Sequence, residues 1–328
     1  MTAPRPAPRT TARPAPPGVR HAAWLMRQWD GAARARRALD ALPPRDDAAR
    51  SIDRLPTPPP TRTTTHDSTQ TSPMTTQTLI APGHRRLYDE RGYFTLEGFL
   101  TPDELSTMQS LCDRLVEVQE AEMDAQGTDT LGLSARGKRY FITNPLDGQS
   151  EAHAVAFGER TAEVCRATVG NDAVLFWEHF VVKMPTREGS AFAWHQDSGY
   201  VDTEHRPYVN CWVALDDVDE RNGTLYMLPY ERAGTRERIE HDRVEGSHDR
   251  VGYRGDDPGD AVVVPAGSAV VFSSLCLHRS SANTTDRPRR AYAMQFAPEP
   301  VYEPDGSLKG QAVPFLEGGV AVCQPPRP

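Results

Sequence analysis

The apolar residues of this chain recur at helical spacing up to about residue 169 and at every second position afterwards, and this change of period restricts its fold more than any other feature. Leu105, Met108, Leu111, Cys112, Leu115 and Val118 fall on one face of a helix expected over 105–123. Ahead of it, Thr101 and Glu104 form a capping box, and Pro102 suits the first helical position. The stretch 87–100 alternates apolar and polar residues only in part, and a second helix is expected over 151–169. Strands are then predicted at 174–184, 208–215, 224–228, 261–264, 269–272 and 291–296. Turn signals separate them, notably Arg221-Asn222-Gly223 and Pro265-Ala266-Gly267. Helices first and short strands afterwards predict an α+β domain with a β-sandwich or small barrel at its core.

The first 73 residues are of a different kind. They hold 12 Arg, 6 Asp, no Lys and no Glu, a charge of +6, which leaves -14 for the remainder of a chain whose net charge is -8. They also hold 13 of the 29 prolines, so helix and sheet are both discouraged apart from a short helix over 21–42. Residues 1–73 therefore read as a disordered Pro/Arg/Thr-rich head, or as leader translated upstream of a true start at Met74, and 74–328 as the folded domain. A targeting peptide or nucleic-acid arm is disfavoured: the arginines are dispersed, and no apolar run precedes a small-residue cleavage site.

Composition excludes other classes. No run approaches the roughly 20 apolar residues of a spanning helix, so no membrane partner is expected. The acidic balance gives no footprint for a nucleic acid. Five scattered cysteines (Cys112, Cys165, Cys211, Cys276, Cys323), without a CxxC pair, suit neither a disulfide scaffold nor a thiolate zinc site, and the expected location is the cytoplasm.

The chemistry gathers at two places. In Trp194-His195-Gln196-Asp197, alternate residues of an extended segment place the His195 imidazole and the Asp197 carboxylate on one side. With 10 His and 25 Asp in 328 residues, one HxD is expected about once by chance, so context must supply the specificity. It comes from 270–283, an apolar strand ending in His278, and from Arg289, which opens the last predicted strand. Two histidines and one carboxylate form the facial triad of non-heme Fe(II), with three coordination positions left open. A buried arginine at a sheet mouth needs a carboxylate, which a dicarboxylate cosubstrate provides.

Four stretches then resemble one family: YDERGYFTLEGFLTPDEL from Tyr88, WHQD from Trp194, WVALDDVDERNGTLYMLP from Trp212 and LHRSSANTTDRPRRAYA from Leu277. They are similar to the phytanoyl-CoA dioxygenase family of Fe(II)- and 2-oxoglutarate-dependent oxygenases, over about 87–298. The resemblance implies a double-stranded β-helix, a cupin-like jelly roll, flanked by N-terminal helices. It implies Fe(II) on His195, Asp197 and His278, and the distal carboxylate of 2-oxoglutarate on Arg289 and Ser280, with Lys183 and Trp212 lining the pocket. Partners would be dioxygen, 2-oxoglutarate and a small-molecule substrate. Related halogenases replace the carboxylate ligand by a small residue, so Asp197 favours hydroxylation.

The chain departs from the family pattern at Leu228-Pro229-Tyr230-Glu231-Arg232 and at Arg279, where a glycine usually follows the distal histidine. Both departures are expected near the substrate side. The charged loop 233–260, with His241 and His248, reads equally as a lid or as a solvated insertion. Two other classes compete: a cupin-type metalloenzyme that needs no keto acid, and a noncatalytic ligand-binding protein. Desaturation and ring chemistry share the same ligands as hydroxylation.

Overall fold

The computed structural model describes residues 79–323 apart from 145, 147–148, 187–189 and 246–248. The head at 1–73, its expected helix over 21–42, and His248 lie outside the described residues. The helical part comes first. Helix α1 (Pro82–Arg91) leads into strand β1 (Tyr93–Leu96) and the long helix α2 (Pro102–Gln126). The partly alternating stretch is thus the end of a helix followed by a strand, with Gly92 at φ 89 making the junction. The capping box forms as expected: Glu104 N donates to Thr101 Oγ1 at 3.3 Å, and Thr101 N donates to Glu104 Oε2 at 2.8 Å. Met108, Leu111, Cys112, Leu115 and Val118 are the buried stripe of α2.

The helix expected over 151–169 is two helices, α3 (Ser150–Ala156) and α4 (Glu159–Thr168). They break at Phe157-Gly158, where a Cβ on Gly158 would lie 2.7 Å from the Ala154 carbonyl oxygen. Between α2 and α3 lie strands unseen in the sequence: β2 (Thr130–Leu131), β3 (Ser134–Ala135) and β4 (Arg139–Thr143). Then follow β5 (Ala173–Lys183), β6 (Phe192–His195), β7 (Val209–Ala214), β8 (Leu225–Leu228), a single helical turn α5 (Tyr230–Ala233), β9 (Asp242–Arg243), β10 (Arg250–Val251), β11 (Asp260–Ala261), β12 (Ala269–Ser273), β13 (Leu277–Ser280), β14 (Arg289–Ala297), β15 (Val313–Glu317) and β16 (Val320–Ala321).

Apart from the β9-β10 pair, the strands form two facing antiparallel sheets, a jelly roll. The large one runs β1-β12-β7-β14-β5-β4-β3-β2, with β15 also on β5; the small one runs β11-β8-β13-β6. The apolar run over 270–278 is therefore two strands, not one: β12 belongs to the large sheet and β13 to the small, joined across Ser274-Leu275-Cys276. Alternation decides the layers. Cys211, Val213, Val271, Tyr292 and Met294 face the helices, while Trp212, Ala214, Val270, Ala291 and Ala293 face the small sheet. The interior between the sheets is where the site sits. Among the described residues, no helix is long and apolar enough to cross a membrane.

Candidate metal centre and cosubstrate pocket

His195 and His278 are opposite each other in the pairing of β6 with β13, so both imidazoles enter the interior from the small sheet, ring centroids 4.2 Å apart. Asp197 lies beyond the end of β6, as the first residue of a 3-10 turn (Asp197–Tyr200). Its Oδ1 is 3.5 Å from His195 Nε2 and 3.6 Å from His278 Nε2. One ligand atom from each of the three residues lies within 4.8 Å of the others, the arrangement a single cation needs.

The protonation states fit as well. His195 Nδ1 lies 2.8 Å from the Ala193 carbonyl oxygen and His278 Nδ1 3.0 Å from that of Cys276. A carbonyl can only accept, so each Nδ1 carries a proton and Nε2 is the nitrogen turned to the centre. Burial pushes His278 down to about 4. For Asp197, burial works upward, but the His278 and His195 imidazoles outweigh it and hold the carboxyl at about 2. At neutral pH the cluster offers an ionised carboxylate and a neutral His278.

Deeper along the same interior face of β14 is Arg289, 1% exposed. Its Nη2 donates to the Gly223 carbonyl oxygen at 2.9 Å, whereas Nε and Nη1 are buried without a partner. Trp212 lies under the guanidinium, 5.2 Å from Cζ to the ring centroid. Opposite Arg289 in the pairing of β14 with β5 stands Lys183, also 1% exposed, its Nζ donating to Ser280 Oγ at 2.7 Å and to the Ser281 carbonyl oxygen. Burial lowers the Lys183 amine well below its usual value, and Arg289 and then Arg139 add to the effect. Burial also lowers Arg289, to about 10. Two buried cations side by side, one with unused donors, make a site that a carboxylate would complete.

Arg289, Lys183, Ser280 and Trp212, the residues that the resemblance assigns to one pocket, are thus neighbours. Lys183 is fully buried, and Trp212 belongs to the apolar cluster between the sheets while also lying against Arg289. Gly223 is tied to this pocket. At φ +88, a Cβ there would lie 2.7 Å from Lys183 Cδ and 3.0 Å from the Ser281 carbonyl oxygen. Gly223→Ala is expected to lower the thermal midpoint, since both backbone strain and crowding oppose it. It should also raise the 2-oxoglutarate concentration needed for half-maximal turnover, and titration of the purified variant measures this.

Arg279 corrects an expectation. Its side chain leaves the sheet on the side opposite His278 and Ser280, and its Cζ lies 3.7 Å from the Tyr226 ring centroid and 5.3 Å from that of Trp194. It does not border the interior. The other departure, at 228–232, forms a turn in which Tyr230 lies against Gly92 and Arg232 pairs with Asp257 and Asp260. The described residues of the loop 233–260 are half-buried or exposed, and part of the loop packs on the small sheet. Ile239 and Tyr253 join Trp194 and Leu228 on the outer face of the small sheet, His241 Nε2 accepts from Gln196 N at 2.9 Å, and Asp249 reaches to 3.5 Å from Arg139.

Several interior residues were not legible in the sequence. Gln295 Nε2 donates to Asp197 Oδ2 at 3.1 Å. Asn210, 2% exposed and opposite Gln295, has an unpartnered Nδ2. His179 stacks on Phe141 at 5.4 Å, and burial pushes its imidazole down to about 4. Phe141 in turn meets Phe192 edge to face at 5.3 Å, and Arg139 lies 4.4 Å above Phe192. The signal was available in principle, as polar residues at inward positions of otherwise apolar strands, but it required knowing which face is inside.

A jelly roll with this cluster at its centre defines the chain as an Fe(II)- and 2-oxoglutarate-dependent oxygenase. The sequence profile of the phytanoyl-CoA dioxygenase family matches residues 88–291, and the chain belongs to that family. It is similar to phytanoyl-CoA dioxygenase domain-containing protein 1 of Bos taurus, 25% identical over 277 residues that cover 70% of this chain and 95% of the relative. It is also similar to the 2-aminoethylphosphonate dioxygenase of the uncultured bacterium HF130_AEPn_1, 26% identical over 217 residues, 62% of this chain and 76% of that protein. Among solved structures, EvdO2 from Micromonospora carbonacea var. aurantiaca, crystallised with 2-oxoglutarate, shares the fold with a TM-score of 0.52. The identity there is 23%, with 72% of this chain and 94% of that one covered.

Proposed function

We propose that His195, Asp197 and His278 hold one Fe(II), that Arg289 with Lys183, Ser280 and Trp212 receives the distal carboxylate of 2-oxoglutarate, and that the protein hydroxylates a small-molecule substrate with release of succinate and CO2. The observation that carries this reading is the buried Arg289 with two unused nitrogens beside the buried Lys183. A metalloenzyme without a keto acid would have no use for two uncompensated interior cations, since burying such charges costs free energy unless an anion pairs with them.

Iron and 2-oxoglutarate, when bound, supply the oxidising chemistry. The contribution of the chain is placement. His195, His278 and one Asp197 oxygen would hold the cation, and Arg289 and Lys183 would hold the far carboxylate of the cosubstrate. Phe141, His179 and Phe192 offer an aromatic wall for the substrate. The 2-aminoethylphosphonate dioxygenase among the relatives is in keeping with a small substrate.

The test is anaerobic loading with Fe(II) and 2-oxoglutarate, followed by oxygen, across a panel of small metabolites. Succinate release above the substrate-free background is expected with at least one of them. Turnover of any substrate without consumption of 2-oxoglutarate would make the cupin-type alternative the better reading.

A further inference from the structure

The two histidines are held twice, by strand pairing and by hydrogen bonds to backbone carbonyls two residues earlier. Asp197 has no ladder to hold it, because it opens a 3-10 turn beyond the end of β6. Its carboxylate is held by a side chain of the opposite sheet instead. Gln295 Nε2 donates to Oδ2 at 3.1 Å, while Oδ1 is the oxygen that lies 3.5 and 3.6 Å from the histidine Nε2 atoms.

The position of Gln295 suits this task. Along β14 the two interior residues immediately before it are Ala291 and Ala293, both apolar and buried, so a carboxamide here is costly unless it is bonded. The pairing of β14 with β5 also shifts register between Gln295 and Phe296, a bulge of the kind that re-aims a side chain beside an active site.

We propose that Gln295 is a positioning residue that occupies Oδ2 and so makes Asp197 a one-oxygen ligand, keeping three coordination positions free of protein atoms. This rests on the Fe(II) reading above. An oxygen that accepts from an amide is a weaker donor to a cation, and a carboxylate tethered through it cannot rotate to chelate with both oxygens.

The test uses the full-length protein under anaerobic conditions. It reads Fe(II) affinity by titration and the visible charge-transfer absorption that Fe(II) and 2-oxoglutarate give when chelated together. Gln295→Met, of similar length but without a donor, leaves Oδ2 free to chelate as well, and is expected to shift the absorption band and to move Fe(II) affinity from the wild-type value by about tenfold or more, with far-ultraviolet circular dichroism unchanged. Gln295→Asn, which keeps the amide on an arm one methylene short, is the second variant and should move both readouts the same way. Wild-type affinity and an unshifted band in either folded variant overturn the proposal. Failure of the underlying reading looks different: the wild-type protein, or its Asp197→Ala variant compared with it, would then show no Fe(II) site that depends on Asp197.

Discussion

His195→Ala, Asp197→Ala and His278→Ala are each expected to abolish Fe(II)-dependent turnover of 2-oxoglutarate. A site that leaves half its coordination positions open has only three protein atoms holding the cation, and the loss of one removes the metal or its geometry. The expected structural cost is not uniform. The Asp197 carboxylate is buried, held in its ionised form by the two imidazoles and bonded to Gln295 Nε2, so Asp197→Ala also removes stabilising contacts and should lower the thermal midpoint. Metal analysis of the purified variants, alongside succinate release, checks the outcome. Near-normal iron content and rate in any two of the three would contradict the ligand assignment.

Arg289→Ala is expected to raise the apparent requirement for 2-oxoglutarate about ten- to a hundredfold, the equivalent of roughly 1.5 to 3 kcal/mol for a charge-assisted hydrogen bond. Iron binding should survive, because Arg289 is not among the clustered ligand atoms. The thermal midpoint of the variant without cosubstrate should hold or rise, since the substitution removes a buried guanidinium with two unsatisfied nitrogens. Arg289→Lys should recover only part of the affinity. A point charge replaces a planar fork, and the new ammonium would stand beside Lys183, whose own charge burial already disfavours. An unchanged 2-oxoglutarate requirement in Arg289→Ala would count against the pocket as assigned.

Much of this site could be read from residue order. His195 closes β6, Asp197 lies just beyond it and Arg289 opens β14, and strand ends are marked in the sequence by the loss of alternation and by turn residues, whereas His278 lies within β13. The α2 cap could be read for the same reason: Thr101, Pro102 and Glu104 act over one helical turn, within reach of local rules. Where the sequence reading failed, the deciding contact was distant. The apolar run that ends in His278 looks continuous because β12 and β13 are both buried, and only their assignment to different sheets separates them. Arg279 looked like a change on the substrate side because it adjoins a ligand, yet the pleat turns it outward onto Tyr226.

The sequence by itself determined that helices precede the main strands, the α+β class and the set of charged residues that the interior would have to accommodate. Local periodicity, capping and turn chemistry act within a few residues, and those are what a sequence records directly. Tertiary structure decided which of these residues meet. It set Lys183 opposite Arg289 across two strands about a hundred residues apart, left two guanidinium nitrogens without partners, and brought Gln295 to the far oxygen of Asp197. Those relations depend on sheet register and on which face of each strand is enclosed, and both are fixed by pairing between distant segments rather than by any segment alone.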